Sequence, residues 1–356
     1  MRTHRLRPRH LRVFAAAAAL LTLAACGSTS ADDKDGDGGR GSGSGSSSGS
    51  FPITIEHALG KTTVEEKPKR VATVNWANQE VPLALGVVPV GMASADFGDD
   101  DGDGVLPWVE KRLEQLHAKT PKLFDETDGI DFEAVADTKP DVILAAYSGL
   151  TKKDYDTLSE IAPVVAYPDA PWSTPWRDVI RMNSKAIGLG DKGDKLVDRL
   201  DGEIERTVAK YPQLKGKSAM FMTHVDPGDV SKVGYYTAHD TRVQFLNDLG
   251  LKTPGSVAKA SKGTKKFALT QSAEKIDTFD DVDIVTGYGD KSGKLLKTLR
   301  KDPLLSKMPA IERNSTYLLP GNTSPLATAA NPTPLSISWV LDDYVKALAK
   351  AADKVN

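Results

Sequence analysis

Short apolar segments alternate with longer amphipathic ones along most of the chain, and this alternation restricts the possible folds more than any other feature. The apolar runs at residues 71–74, 142–146 and 164–166 predict buried strands, and the segments between them show helical spacing. A second series of the same kind begins at Lys217. Because strands that alternate with helices form parallel sheets covered by helices, we expect an α/β protein.

A long helical stretch lies between the two series. Its second part carries apolar side chains at helical spacing from Leu196 to Val208 and is mostly charged elsewhere. The predicted architecture is two Rossmann-like α/β lobes, residues 51–190 and 217–356, joined by a single long interlobe helix at residues 191–216. A cleft between two lobes commonly holds a small ligand, and we expect the ligand site there.

The first 50 residues have the composition of a targeting segment followed by a linker. Five arginines precede an apolar run at residues 13–23 that is shorter than the roughly 20 residues of a membrane-spanning helix. The sequence LAACG then resembles the bacterial lipobox, so residues 1–25 are predicted to be a lipoprotein signal peptide and Cys26 the lipidated residue. The alternative is an ordinary secretory peptide with a chance cysteine. Residues 26–50, rich in Ser, Gly and Asp, predict a disordered tether.

Several classes of function are excluded or disfavoured by the composition. Cys26 is the only cysteine, and its lipidation would leave no thiol for disulfides, metal binding or nucleophilic catalysis. The formal net charge of −2 gives no sign of a nucleic-acid partner. We find no nucleophile elbow, phosphate loop or HExxH pattern, so we expect no enzyme activity.

The acidic loop at residues 99–110 reads DDDGDGVLPWVE and has the spacing of a calcium loop. Asp99, Asp101, Asp103 and Glu110 would supply carboxylates, and Val105 would supply a backbone carbonyl. Against calcium, a proline occupies the ninth position, no helix is predicted before the loop, and no second loop is present to pair with it. The sequence leaves two interpretations open, a structural Ca²⁺ site and a plain acidic surface loop, and it predicts no other cofactor.

Six segments in order along the chain resemble the substrate-binding proteins of ABC importers for iron–siderophores, heme and cobalamin. They read KPKRVATVNWANQEVPLALGVVPVG, DGIDFEAVADTKPDVILAA, WRDVIRMNSKAIGLGDKGDKL, AHDTRVQFLNDLGL, LTQSAEKIDTFDDVDIVTGY and NPTPLSISWVLDDYVKAL. Together with the lipobox, the ordered segments are most similar to ferric-siderophore-binding proteins. The resemblance implies two α/β lobes joined by a rigid long helix, with the ligand between them.

The resemblance also implies a role for two glutamates, one at the tip of each lobe. By their positions in the matching segments, Glu133 and Glu274 would dock onto arginines of the importer permease. Exposed carboxylates on a rigid helix start can pair with Arg through two hydrogen bonds. The alternative is that both are solvated acids near helix N-termini, where negative charge is favourable.

Loops that follow strand ends supply the candidate ligand-binding residues. Aromatic side chains offer large apolar contact with a polar tip, and Arg can hydrogen-bond chelate oxygens. The candidates are Trp76, Tyr147, Trp172, Trp176, Tyr235, Tyr236, Arg242, Tyr288 and Asn331. For each aromatic residue, packing within a lobe is the alternative. Tyr235, Tyr236 and His239 could also form a local cluster, which leaves direct metal capture open.

These observations favour an extracytoplasmic, lipid-anchored and monomeric protein that captures a ferric siderophore and delivers it to an ABC importer permease. Heme, cobalamin or another metal chelate is the alternative within the same fold, and Tyr235 or His239 could then be an axial ligand. A calcium-dependent surface interaction module and a hydrolase are alternatives of other classes. Arg242 is the main cation expected in the cleft, with Arg177 and Arg181 less central, which favours a hydroxamate over a catecholate.

Overall fold

The computed structural model describes residues 49–321 and 323–355. The predicted signal peptide, Cys26 and nearly all of the predicted tether lie outside the described residues. Among the helices of the described part, none is both long enough and apolar enough to cross a membrane.

The first lobe begins with a hairpin and continues into an alternating α/β unit. Its elements are β1 (Ile53–His57), β2 (Gly60–Val64), β3 (Val71–Thr73), α1 (Glu80–Ala84), β4 (Gly91–Ala93), α2 (Pro107–Gln115), β5 (Lys122–Phe124), α3 (Phe132–Asp137), β6 (Val142–Leu144), α4 (Lys152–Ser159) and β7 (Val164–Val165). β1 and β2 pair antiparallel, with Ile53 opposite Val64. The other strands form a parallel sheet in the order β5-β4-β3-β6-β7.

Two helices connect the lobes, α5 (Trp176–Ala186) and α6 (Gly190–Val208). The break between them falls at Gly188, which takes a left-handed conformation with φ of 70° that suits a helix end. α6 ends at Val208 rather than at residue 216. Pro212, which has no N–H for a helical hydrogen bond, instead begins a short 3₁₀ turn, Pro212–Leu214.

The second lobe contains a mixed sheet. Its elements are β8 (Ala219–Met222), β9 (Lys232–Tyr236), α7 (Thr241–Asp248), α8 (Gly255–Ser261), β10 (Ala268–Ser272), β11 (Ile284–Tyr288), α9 (Lys294–Lys301), α10 (Pro309–Glu312), β12 (Thr316–Leu319), α11 (Pro325–Ala329) and α12 (Ser336–Ala352). The strand order is β10-β9-β8-β11-β12. β8, β11 and β12 are parallel to one another, whereas β9 runs antiparallel to both of its neighbours, β8 and β10. Neither β9 nor β10 was predicted from the sequence.

Each sheet packs against its own apolar cluster, and a further cluster is shared by both lobes. The shared cluster contains Tyr147 of the first lobe and Phe221 of the second, together with buried side chains of α5, α6 and α12. By their contacts, the described residues from 49 onward belong to one compact unit that includes both sheets. The α/β fold is confirmed, and side chains of both lobes contribute to the shared core.

Candidate ligand-binding cleft

A cavity of about 280 Å³ lies between the two lobes. Its walls are formed by Trp76, Asp96, Phe97, Tyr147, Trp172, Asp240, Arg242, Phe267, Tyr288, Thr328 and Asn331. A second cavity of about 660 Å³ adjoins it on the first lobe and shares Trp76, Asp96 and Trp172 as walls. The structure thus places six of the nine predicted ligand residues around one cavity: Trp76, Tyr147, Trp172, Arg242, Tyr288 and Asn331.

The topology of the sheets explains why these residues meet. Trp76 follows β3 and Tyr147 follows β6, and these two strands are neighbours at the point where the strand order of the first sheet reverses. Ligand sites of open α/β sheets lie beyond the carboxyl ends of the strands at such a point. Tyr288 ends β11 in the second sheet and faces the cleft from the other lobe.

The backbone around the two cavity tryptophans is conformationally strained. Asn75, Ala77 and Trp172 all have left-handed backbone angles, with φ of 58°, 61° and 57°. Glu126 holds Asn75 in place by accepting hydrogen bonds from its backbone N–H at 2.9 Å and its Nδ2 at 2.8 Å. Gly149 N–H donates to Asn75 Oδ1 at 3.0 Å. Such conformations persist only where surrounding contacts enforce them, and they are concentrated at functional sites.

Arg242 is the cationic group of the cavity, and its charge is paired. Its Nη1 donates to both carboxylate oxygens of Asp240, at 2.9 Å and 2.7 Å, and its Nε donates to the Tyr288 hydroxyl at 2.8 Å. The guanidinium carbon also lies 4.1 Å from the ring centroid of Tyr236. Burial alone would lower the pKa of Arg242, but the charge of Asp240 outweighs it and raises that pKa well above its ordinary value.

Three of the predicted ligand residues do not line this cavity. Tyr235 is buried in the second lobe, where its ring contacts Phe279 at a centroid distance of 5.2 Å. Tyr236 points to the opposite face of β9, because successive strand residues alternate, and lies behind Arg242 rather than in the wall. Trp176 is buried, and its Nε1 donates to Asp248 at 3.0 Å.

Trp176 belongs to a brace between helices. Arg177 lies over its ring at 4.2 Å and forms ion pairs with Asp201 of α6 and Asp248 of α7. Arg177 therefore has a structural role between helices, and it does not line the cavity. Arg181 is half exposed and pairs with Asp178 and Asp194, also away from the cavity.

The expected cluster of Tyr235, Tyr236 and His239 does not converge on one point. His239 Nε2 lies 3.0 Å from the carbonyl oxygen of Ser261, and the two tyrosines face opposite sides of their strand. Neither Tyr235 nor His239 lines the cavity between the lobes. This arrangement gives no support to direct metal capture or to an axial heme ligand from these residues.

Five wall residues were missed in the sequence analysis: Asp96, Phe97, Asp240, Phe267 and Thr328. Phe97 could have been found, because it follows the end of β4 at the same edge of the sheet. Asp240 carried a helix-cap signal, and its side chain accepts a hydrogen bond from Arg242 N–H at the start of α7. Phe267 precedes β10, a strand that the sequence analysis did not predict.

Comparison with known proteins identifies the family. The model of the periplasmic binding protein family matches residues 71–323. The chain belongs to the periplasmic binding protein family. This confirms the resemblance described above, and it also confirms the prediction that this periplasmic binding protein is not an enzyme, because the family consists of binding components.

Individual relatives of this binding protein include solved structures. PiaA of Streptococcus pneumoniae TIGR4, solved in complex with ferrichrome, is 44% identical; the match covers 85% of this chain and 100% of that chain, with a TM-score of 0.81. A periplasmic solute binding protein from Mycobacterium smegmatis is 26% identical; the match covers 84% and 98% of the two chains, with a TM-score of 0.68. The probable siderophore-binding lipoprotein YfiY of Bacillus subtilis is 26% identical over 65% of this chain and 66% of that protein, just under two thirds of its length.

The two predicted docking glutamates of this periplasmic binding protein are exposed at helix starts. Glu133 lies in the first turn of α3, and Glu274 lies in the first turn of a 3₁₀ segment, Ala273–Phe279. Among the described residues, no ion pair engages either carboxylate. Both are placed where a partner could reach them, and the docking role stays a prediction.

The acidic loop of this binding protein brings together three of its predicted calcium ligands. Carboxylate oxygens of Asp99, Asp101 and Asp103 lie within 4.8 Å of one another, but Glu110 is not part of this group. The Asp99 carboxylate accepts hydrogen bonds from the loop's own backbone at Gly102 and Gly104. Val105, the predicted source of a backbone carbonyl ligand, is buried. Calcium binding remains a prediction from the spacing.

Proposed function

We propose that this protein captures an uncharged ferric trihydroxamate of the ferrichrome type and delivers it to an ABC importer. The observation that carries the proposal is the aromatic cavity between the lobes, in a chain that is 44% identical to the ferrichrome-bound PiaA over that protein's whole length. Trp76, Phe97 and Trp172 contribute apolar walls, and Arg242 contributes a hydrogen-bond donor.

The chemistry of the walls suits a metal that arrives already chelated. Bare Fe³⁺ needs several carboxylate, phenolate or imidazole ligands converging on one point. In the described part of the chain, the acidic loop is the one group of three or more His, Cys, Asp or Glu side chains close enough to hold a metal, and it is not in the cavity. A siderophore supplies its own iron ligands, so the protein has to recognise shape and charge.

The size of the site is compatible with such a chelate. Small-molecule sites usually measure ~300–1,000 Å³, and the aromatic cavity alone, at about 280 Å³, lies just below that range. The adjoining cavity of about 660 Å³ gives room for the periphery of a larger ligand. We infer that the chelate occupies the aromatic cavity and extends toward the first lobe.

Delivery requires the protein to be held at the membrane and to dock. Lipid at Cys26 would anchor the chain on the extracytoplasmic side, and the tether would let the folded part reach the permease. Glu133 and Glu274 would then fix its orientation through pairing with permease arginines. Exposure of both carboxylates at helix starts supports this role.

Tryptophan fluorescence titration tests the binding assignment. We expect ferrichrome to quench the emission with a dissociation constant of about 1 μM or tighter, and Trp172→Phe to weaken binding and reduce the quenched fraction. Trp339, which is 41% exposed and outside the cavity wall, supplies the control: Trp339→Phe should leave the affinity unchanged.

The same titration with heme and cobalamin separates the alternatives within the family. Quenching by heme or cobalamin with no response to ferrichrome would replace the proposed ligand and keep the binding role. No response to any of the three would overturn the proposed function as a whole.

A further inference from the structure

The charges around the two adjoining cavities are unbalanced. Arg242 is the one cationic side chain among the residues that line either cavity in the described part of the chain. The carboxylates in the same walls are those of Asp96, Asp125, Glu126, Asp154 and Asp240. Burial raises the pKa of Glu126 to about 7, and Asp240 is paired with Arg242. An anionic ligand entering this groove would therefore meet chiefly the negative charges of Asp96, Asp125 and Asp154.

Most of the hydrogen-bonding capacity of Arg242 is already used within the protein. Nη1 is taken by Asp240 and Nε by the Tyr288 hydroxyl, and none of the described residues accepts a hydrogen bond from Nη2. A guanidinium group has five N–H donors in a fixed plane. The donors on Nη2 are therefore the ones that can reach a ligand oxygen.

Asp240 is fixed beside this guanidinium. The residue is completely buried, and its carboxylate also accepts from the backbone N–H of Arg242 at 2.9 Å. A carboxylate 2.7 Å from Nη1 cancels the field that the cation would otherwise project into the cavity. Arg242 thus offers hydrogen bonds to a ligand without offering a net positive charge.

This inference rests on the proposed function: we propose that Asp240 is a specificity-determining residue. By neutralising Arg242, it makes the cleft select uncharged or cationic ferric trihydroxamates and reject anionic ferric complexes such as those of catecholates and citrate. Without Asp240, Arg242 would be an unpaired buried cation, and an anionic complex would be the ligand that compensates it. Asp96, a wall of both cavities, adds repulsion of the same sign.

A ligand series with one iron centre and three charges tests this selection on the unmodified protein. A linear ferric trihydroxamate with a terminal ammonium group is compared with its N-acetyl form, which is uncharged, and its N-succinyl form, which is anionic. We expect the first two to bind within a few-fold of each other and the anionic form to bind at least about tenfold more weakly. Equal affinity for the anionic and uncharged forms would overturn the inference.

Substitutions then test whether Asp240 is responsible. Asp240→Asn keeps the shape and removes the charge, and we expect it to reduce the penalty of the anionic form relative to the acetylated form by about tenfold. In the double variant Asp240→Asn/Arg242→Met the reduction of this penalty should disappear, because it depends on the exposed charge of Arg242. Asp342→Asn removes an exposed carboxylate that lines neither cavity and should leave all affinity ratios unchanged.

The outcomes separate this inference from the proposed function. If ferrichrome and the whole series fail to bind, the proposed function is wrong and the inference falls with it. If ferrichrome binds but a folded Asp240→Asn protein keeps the wild-type ratios, the inference alone is wrong. Thermal unfolding of each variant shows whether it is folded, and the ligand series on the unmodified protein decides the matter where a variant is not.

Discussion

The phenol oxygen of Tyr147 lies 3.3 Å from the hydroxyl oxygen of Thr241, and this contact joins the first lobe to the second beside the cavity. Asn331 completes the network: its Oδ1 accepts from Thr241 at 2.5 Å, and its Nδ2 donates to Tyr147 at 3.2 Å. All three residues are buried, so the loss of one partner leaves the others short of a hydrogen bond. The network therefore ties the ligand site to the relative position of the lobes.

Removing the phenol hydroxyl tests this coupling. Tyr147→Phe leaves Thr241 and Asn331 each short of a partner, so we expect the free energy of unfolding to fall by about 1–3 kcal/mol and ligand binding to weaken several-fold. Urea unfolding and fluorescence titration measure the two effects. Tyr155→Phe deletes a comparable hydroxyl, 3.2 Å from Thr62, within the first lobe, and should change stability without changing affinity. Unchanged affinity in Tyr147→Phe would contradict the coupling.

Gly149 offers a way to move Trp172 without mutating it. A Cβ atom on Gly149 would lie 2.3 Å from Trp172 Nε1, so the ring would have to shift out of the cavity wall. For Gly149→Ala we expect ligand affinity to fall by about tenfold or more, with a stability loss of about 1–3 kcal/mol from overpacking. Gly190→Ala is the matched control, because its Cβ would have no neighbour within 4 Å. Full affinity in Gly149→Ala would show that the Trp172 ring position is unimportant.

The part of the site that could be predicted is the part that follows buried parallel strands. Trp76 and Tyr147 come directly after apolar runs whose carboxyl ends must share one edge of the sheet. Tyr235 and Tyr236 could not be told apart, because strand β9 was not predicted and neighbouring residues of a strand face opposite sides. Trp176 was predicted to contact ligand for another reason. Its hydrogen-bond partner Asp248 is distant in sequence, so the contact that holds it away from the cavity could not be identified.

The strands of the fold also divide into those that the sequence predicts and those that it does not. Strands buried on both faces appear as apolar runs, and β3, β6 and β7 were predicted in this way. The edge strand β5, which has only one buried residue, was not predicted. β10 has no buried residue, so its sequence carries no comparable signal. The apolar cluster shared by the lobes depends on how α5, α6 and α12 pack together, which spacing within one helix does not determine.

A buried glutamate outside the cleft predicts a pH effect on stability. Glu80 is fully buried and accepts hydrogen bonds from Trp108 Nε1 at 2.7 Å and from Leu335 N–H at 2.9 Å. Desolvation raises the pKa of Glu80 to about 7, although hydrogen bonds from its neighbours, beginning with Thr333, oppose the rise. Because the folded-state pKa is raised, the contribution of Glu80 to stability is fully present below about pH 4.5 and is lost as the pH rises through 7.

Glu80→Gln removes this titration and should therefore become less destabilising, relative to wild type, as the pH rises. We expect the difference in unfolding free energy to move in favour of the variant by on the order of 1–3 kcal/mol between pH 5 and 8, measured by urea unfolding. Burial also raises the pKa of Glu126 to about 7, but that contribution is common to both proteins and cancels. Glu114→Gln, an exposed change on α2, is the control, and a difference independent of pH for Glu80→Gln would exclude this role.

Charge reversal at the two exposed glutamates should separate docking from ligand capture. For Glu133→Lys and Glu274→Lys we expect unchanged ligand affinity and a loss of about tenfold in ligand-stimulated ATPase activity of the permease in proteoliposomes, because repulsion from arginine replaces attraction. Glu160→Lys reverses another exposed charge of the first lobe and should have no effect on stimulation. Normal stimulation by the double variant Glu133→Lys/Glu274→Lys would place the docking surface elsewhere.

If the acidic loop binds calcium, as its spacing predicts, Ca²⁺ should stabilise the protein. With a dissociation constant near 1 mM, as in extracellular modules, about 10 mM Ca²⁺ would raise the free energy of unfolding by roughly 1.4 kcal/mol. Asp101→Asn removes one of the three converging carboxylates and should abolish the rise, whereas Asp100→Asn changes an adjacent exposed acid outside that group and should keep it. A melting temperature of the wild-type protein that does not respond to Ca²⁺ identifies the loop as an acidic surface segment, because its aspartates already accept hydrogen bonds from their own backbone.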